Sequence, residues 1–384
     1  MWLPPVEEIV AAFLRLEVPR VPFRFVQFSR NEQRAMPTLV SYWEATGIEV
    51  PEPLALETRY ERERQLAYGA VLDRITTVDP AAVPMKGPMI CRLYPAGLVR
   101  ETADLDVLCS SVDTLWAVAD DLMGLGWTLN SVSVNGIDGQ AHPSVQLARP
   151  AAHPRLTNKD RVELTTVCYR GDGYRTPPRL RTLSGPPTIE DCFTWFVDEI
   201  ADRDFRMRDM VDLAVFDHHF GTGEVDLVLI GHHLVDYGLR TAFARLAAEA
   251  AKRYPAATPM LTRVRAAMPR RATTKRLRAP RTSGLLAGSV AIANYTIRET
   301  NRPAVLARCE RWLAGLQERF GARKLFERGV PLHGVEVSDE RSAGTGIEFR
   351  GAGALLRSPV GTYALAAGPV VRSTWVEPFE LVVQ

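Results

Sequence analysis
The feature that most constrains this chain is a change of period near residue 80. Before it, apolar residues recur at helical spacing in "PVEEIVAAFLRL", "NEQRAMPTLVSYW" and "LALETRYERERQLAYGAVLDRI". The last of these predicts a long helix with charges on one face and Leu66, Val71 and Ile75 on the other. Beyond it the pattern shortens. "AVPMKG" reads as a strand ending in a turn, and "PMICRLY" as one short helix with Pro88 in its first turn. "ADLDVLCSS" reads as a strand, and its Ser111 caps the following helix, "VDTLWAVADDLMGLG", which stops at Gly124 or Gly126. "WTLNSVSV" is a further strand, followed by a Gly/Pro/His loop and then by the strands "SVQLARP" and "RVELTTVCY". "YRGDGY" at 169–174 reads as a turn. This order predicts an α+β chain built on a sheet of mixed direction.

From 188 the helical period returns, in "TIEDCFTWFVDEIADRDF", "RMRDMVDLAVFDHHF" and a long run from 224 to 254. The last sixty residues alternate like β-structure between Gly and Pro turns, which predicts a small β-rich tail module. The expected organisation is a helical segment over 1–80, an α/β core over 81–187, a helical region over 188–325 and the tail over 326–384. The 384 residues, 46% hydrophobic and 24% charged, suit an ordinary globular protein of two to three domains. A net charge of +2 gives no global case for nucleic acid or an acidic membrane. The basic loop at 270–281 reads as a solvated linker or as a segment that contacts a phosphate-bearing or acidic partner. The five cysteines, without CxxC spacing, read as free thiols in a reducing compartment. With no signal peptide at the N-terminus and no apolar run of ~20 residues, the expected location is the cytoplasm.

Within the core, Asp104 and Asp106 stand at alternate positions where a strand begins. Side chains two apart on a strand share a face and lie roughly 6.5 Å apart along it. Two such carboxylates repel, and divalent cations remove the repulsion. A pair of Mg²⁺ ions roughly 3.5–4 Å apart can clamp the attacking and leaving oxygens of a phosphoryl displacement. A lone Asp-x-Asp also occurs at ordinary strand edges. Its surroundings add Lys86-Gly87, a turn where backbone can approach a ligand closely, and Arg100, on a loop four residues before Asp104. Glu163, between Val162 and Leu164 in mid-strand, offers a third carboxylate or sits on a solvated sheet face. Lys86 has the reading of a solvated turn lysine, and Arg100 that of a salt bridge to Asp104 or Asp106.

At these residues the sequence resembles the DNA polymerase β-type nucleotidyltransferase superfamily. It is most similar to a bacterial branch that reads "LKG", "LY", an Arg, "DIDLLV", "ELH" and a helix with "DLA". Here those positions are Met85-Lys86-Gly87, Leu93-Tyr94, Arg100, "DLDVLC" from Asp104, "VEL" with Glu163, and "RMRDMVDLA" with Arg208, Asp209 and Asp212. The matched motifs run from about 84 to 215, a third of the chain. The resemblance implies Mg²⁺-dependent transfer of a nucleoside monophosphate from an NTP, with release of pyrophosphate, to a small molecule or peptide, in the setting of natural-product biosynthesis. It implies that Asp104 and Asp106 hold two Mg²⁺ ions and that Glu163 binds the catalytic one and helps deprotonate the acceptor. Lys86, Gly87 and Arg100 would meet the triphosphate, with Arg208 and Asp212 in support. Pro88 stands where the superfamily has a second Gly or Ser, and Thr165 where the branch has His. Both departures point to the alternative of a catalytically silent nucleotide- or peptide-binding accessory protein. A γ-phosphate transferase would use the same metal site.

Other chemistries lack their motifs. There is no G-x-S-x-G elbow, no P-loop and no G-x-G-x-x-G after a strand. His218-His219 and His232-His233 are adjacent pairs on helices, whose rings diverge by about 100°, so they read as helix-surface or interface residues.

Overall fold
The computed structural model describes residues 2–14, 34–137, 139–152, 159–168, 186–203, 205–223, 225–271, 284–300 and 302–379. The 169–174 turn and all but the first two residues of the 270–281 basic loop lie outside them. The chain opens with α1 (Val6–Leu14), α2 (Met36–Thr46) and α3 (Glu52–Val78). The core follows as β1 (Val83–Met85), α4 (Gly87–Cys91), β2 (Leu105–Leu108), α5 (Val112–Gly124), β3 (Thr128–Ile137), β4 (Gln140–Pro150) and β5 (Lys159–Thr165). Ser111 caps α5 as its sequence position implies. Its Oγ accepts from the Thr114 amide at 3.1 Å, while Thr114 Oγ1 accepts from the Ser111 amide at 3.0 Å.

A helical run comes next: α6 (Ile189–Asp202), α7 (Met207–Gly221), α8 (Leu227–Asp236), α9 (Arg240–Arg253), α10 (Thr258–Ala267), α11 (Gly284–Glu299), α12 (Pro303–Phe320) and α13 (Ala322–Glu327). The single helix expected over 224–254 is two, because Gly238 adopts φ +67° and ends α8. The chain finishes with β6 (Leu332–Ser338), β7 (Gly346–Arg350), β8 (Gly353–Ser358), β9 (Gly361–Ala366) and α14 (Ser373–Val376).

The nine strands among the described residues belong to one sheet, in the order β1-β2-β5-β4-β3-β6-β9-β8-β7. The β-rich tail expected over 326–384 is present, and its strands join the central sheet: β6 pairs antiparallel with β3 and carries the last hairpins onto it. The Gly/Pro/His loop after β3 is corrected. Pairing runs through it from Val134↔Pro143 to Ile137↔Gln140, with Gly139 at φ +78° in the reversal. A ladder that keeps every backbone group bonded outweighs the turn character of single residues. Among the described strands, β2 and β5 are the one parallel pair.

Two apolar clusters hold the sheet. One joins Val107, Val134, Val145, Leu147, Val162 and Leu164 to Trp116 of α5, Ile75 of α3 and Leu325 of α13. The other gathers α1, α2 and α6 to α10 against Met85, Ile90 and Leu108, so the β1–β2 end lies between helices on both sides. The long helix α3 turns two of its three expected apolar residues inward. Val71 and Ile75 are buried, Leu66 is 76% exposed, and the inner face instead carries Glu61 and Arg64, which bond to each other. The ion pair lets two charged residues take core positions that the apolar pattern assigned elsewhere.

The cross-over of α13 on the sheet depends on Gly136, where a Cβ would lie 2.4 Å from the Phe326 carbonyl oxygen. We expect Gly136→Ala to lower the unfolding free energy by about 1–3 kcal/mol in urea titration, the usual cost of overpacking. An unchanged midpoint would show that α13 moves freely.

Candidate active site at the β1, β2 and β5 strand ends
The parallel register of β2 and β5 sets Asp106 directly opposite Glu163. On the other side of β2, antiparallel pairing sets Asp106 opposite Met85, the residue before Lys86. Asp104 lies two residues before Asp106, just outside the strand. The register thus carries Asp106, Glu163, Asp104 and Lys86 on adjoining stretches of β1, β2 and β5. Lys86 Nζ stands 3.7 Å from Asp106 Oδ2. Glu163 Oε1 accepts a hydrogen bond from Ser144 Oγ at 3.0 Å.

Lys86 is the one non-glycine with positive φ among the described residues, at φ +52° and ψ −116°. Such backbone costs of order 1–3 kcal/mol and persists only where its surroundings enforce it. It turns β1 sharply into α4, with Pro88 in the first turn as expected. A Cβ at Gly87 would lie 3.5 Å from Arg100 Nη1, an ordinary contact, so packing within the protein does not require glycine there.

Burial pushes Asp106 well above the usual carboxylate range, Lys86 opposes this, and Asp104 and Glu163 add to it. Burial also raises Asp104, with Lys86 opposing and Glu163 and Glu199 adding. Lys86 is raised by Asp106 above all. Glu199 on α6 was not legible as part of this cluster in the sequence. Burial pushes it up, but Arg203 at 3.1 Å and then Lys86 outweigh that and hold it at about 2.

The salt bridge read between Arg100 and Asp104 or Asp106 is corrected: Arg100 pairs with Asp212 instead. Its Nε and Nη2 donate to the two carboxylate oxygens of Asp212 on α7, at 2.7 and 2.9 Å. Tyr94 Oη donates to the same Asp212 at 2.6 Å. Both partners of this pair are buried, and Nη1, beside Gly87, donates to the Glu101 carbonyl at 3.5 Å. Arg208 donates to Glu101 Oε2 at 2.5 Å and to the Glu101 carbonyl at 3.2 Å. Asp209 accepts from Arg203 and from the Arg206 amide, closing the N-terminus of α7.

These bonds belong to a wider clasp on residues 99–103, the segment that delivers Asp104. Ser41 accepts from the Val99 amide, Gln65 donates to the Arg100 carbonyl, Glu61 accepts from the Thr102 amide at 2.8 Å, and Tyr68 donates to the Ala103 carbonyl. Sequence reasoning missed Glu61, Gln65 and Tyr68, because they lie on a helix remote in the chain and match no motif. The histidine pairs sit apart from this site. His218 stacks on Trp2 at 3.9 Å, and His219 Nε2 lies 2.9 Å from the Leu93 carbonyl oxygen.

The donor chemistry fits a hard divalent cation: the candidate ligands are all oxygens, and burial and mutual repulsion, which a cation relieves, hold Asp104 and Asp106 toward their neutral forms. Among the described residues, however, no three His, Cys, Asp or Glu side chains already converge as a cation cage. Nor is any described helix long and apolar enough to cross a membrane. The five cysteines are free thiols. Comparisons with protein-family models, curated proteins and solved structures find no match to this chain.

Two measurements test this electrostatic account. Because the folded protein disfavours an ionised Asp106, Asp106→Asn should raise the urea midpoint at pH 7.5 in EDTA. Mg²⁺ should then raise the midpoint of the wild type but not of the variant. A fall in EDTA would mean that the Lys86 pair outweighs the repulsion. Glu61 supplies a pH test. Burial, partly countered by Arg64, pushes it from the usual 4.5 to about 7. Its contribution to stability is present below about pH 4.5 and is lost as pH rises through 7. Wild-type unfolding free energy should therefore fall between pH 5 and pH 8, and Glu61→Gln should flatten that fall. Equal slopes would refute the assignment.

Proposed function
We propose that the chain is a Mg²⁺-dependent nucleotidyltransferase. It moves a nucleoside monophosphate from an NTP to a hydroxyl or similar acceptor on a small molecule or peptide and releases pyrophosphate. The observation that carries this reading is the pairing of Asp106 with Glu163 across the parallel β2–β5 register, with Asp104 and Lys86 beside it. Two Mg²⁺ ions, when bound, would neutralise the triphosphate and acidify the acceptor hydroxyl. Asp104, Asp106 and Glu163 are the residues that would hold them. Glu163 takes the acceptor proton as the acceptor oxygen bonds to the α-phosphorus. The bond from that phosphorus to the β-phosphate oxygen breaks, and pyrophosphate leaves. Lys86 stabilises the charge that develops on the triphosphate, where a fixed cation is worth most. Arg100 acts as a positioning residue: through Asp212 it fixes the segment that presents Asp104.

The absence of a ready three-acid cage among the described residues, and the sequestration of Arg100, favour one second reading. In it the chain binds nucleotide or peptide without turnover.

The test is incubation of the purified chain with ATP, GTP, CTP and UTP plus Mg²⁺, with candidate hydroxyl acceptors, followed for pyrophosphate and orthophosphate. We expect pyrophosphate release that Asp104→Asn/Asp106→Asn reduces at least a hundredfold. Orthophosphate alone would replace this reading with γ-phosphate transfer. Mg²⁺-dependent NTP binding without either product, across the acceptor panel, would favour the silent binder.

A further inference from the structure
The sheet face that carries Asp106 and Glu163 does not end at β5. Strand pairing sets Glu163 opposite Gln146, and Gln146 opposite Ser131. The next row joins Thr165, Ser144 and Ser133, and reaches His333 on β6. One row further, His142 faces Asn135. Paired residues and residues two apart share a face, so these side chains form one polar surface. The opposite face of the same strands is built from Val132, Val134, Val145 and Leu147.

A buried hydrophilic face of this kind runs against the usual sorting of a sheet interior. Ser133, Asn135, Ser144 and Thr165 are all buried. Some of this polarity is satisfied within the protein. Ser144 donates to Glu163, and His142 Nδ1 lies 3.1 Å from Thr166 Oγ1. Asn135 is different. It is 1% exposed, and neither its Oδ1 nor its Nδ2 has a hydrogen-bond partner. A buried amide with both ends unmet is rare and calls for a specific cause. Its one acceptor and two donors match an amide or hydroxyl group of a ligand.

We propose that this face is the acceptor subsite of the transferase described above, and that it takes an uncharged chain rich in hydroxyl and amide groups, anchored at Asn135. The name acceptor rests on the transferase reading; the binding itself does not. No Lys, Arg, Asp or Glu lies on the paired rows between Glu163 and Asn135. A cationic or phosphorylated chain would lose hydration there without a compensating charge. Two strand spacings across and four residues along place Asn135 about 16 Å from Glu163. That span fits an acceptor of several sugar or amino-acid units, with its reacting hydroxyl at Glu163 and a distal group at Asn135.

The test is saturation-transfer NMR on the full chain, without NTP or Mg²⁺. The probes are N-acetylated chitotriose, an acetylated and amidated Ser/Gly/Asn pentapeptide, and the polycationic aminoglycoside tobramycin. We expect at least one neutral probe to bind, and its identity separates sugar from peptide. Asn135→Leu should weaken that binding at least tenfold without lowering the thermal midpoint, because the amide makes no bond in the free protein. Ser133→Ala, which leaves Asn135 in place, should weaken it severalfold and serves if the first variant does not fold. Binding of tobramycin alone, no binding by either neutral probe, or equal binding by wild type and both variants would overturn the proposal. So would a marked fall in the Asn135→Leu midpoint. Neutral-probe binding together with a negative pyrophosphate assay would retain the subsite and remove the transferase; the reverse result would do the opposite.

Discussion
The buried pair of Arg100 and Asp212 is the interaction on which the geometry of the site depends. It fastens the segment before β2 to α7 through two charge-assisted bonds, with Tyr94 closing the third side. Removing one partner of such a pair typically costs about 3–5 kcal/mol, because the other charge is left buried. Replacing Arg by Lys would not preserve it, since an ammonium lacks the planar fork that meets both carboxylate oxygens. Around the pair, Glu61, Gln65 and Tyr68 of α3 hold neighbouring backbone groups of the same segment. Asp104 is therefore delivered by a stretch without regular secondary structure whose position is set by three helices, α2, α3 and α7.

Against that rigidity stands an electrostatic conflict. Asp104, Asp106, Glu163 and Glu199 crowd around Lys86, and burial makes their repulsion costly. Lys86 relieves part of it while holding a backbone conformation unfavourable to any side chain. Strained backbone and crowded like charge gathered at one point mark a place shaped by chemistry rather than stability. The polar face beyond Glu163 extends the same departure along the sheet, and Asn135 is its extreme case.

Much of the local structure was legible residue by residue. The short β1, the Pro88-led α4, the Ser111 cap and the strand at Asp106 all follow from rules that act within a few positions. Leu66 was misassigned because apolar residues normally turn inward, and only the Glu61–Arg64 bond reverses the preference on α3. The expected salt bridge of Arg100 to Asp104 or Asp106 failed for a similar reason. Four residues from Asp104, it is near the acids in sequence, yet Asp212, 112 residues away, offers both carboxylate oxygens in a buried setting. The tail strands read as a separate module because nothing in their alternation names β3 as a partner.

By itself, then, the sequence determined the elements and the short-range arrangement: Lys86-Gly87 at a turn, two aspartates at alternate positions, and Glu163 inside a strand. These depend on backbone preferences and side-chain period, which act locally. Only the tertiary structure decided that β2 and β5 pair in parallel so that Asp106 meets Glu163, that α7 claims Arg100, and that one sheet of nine strands carries an unbroken polar face to Asn135. Strand register and buried ion pairing are choices between segments far apart in the chain. They are settled by which faces bury together, a property that no single stretch of residues contains.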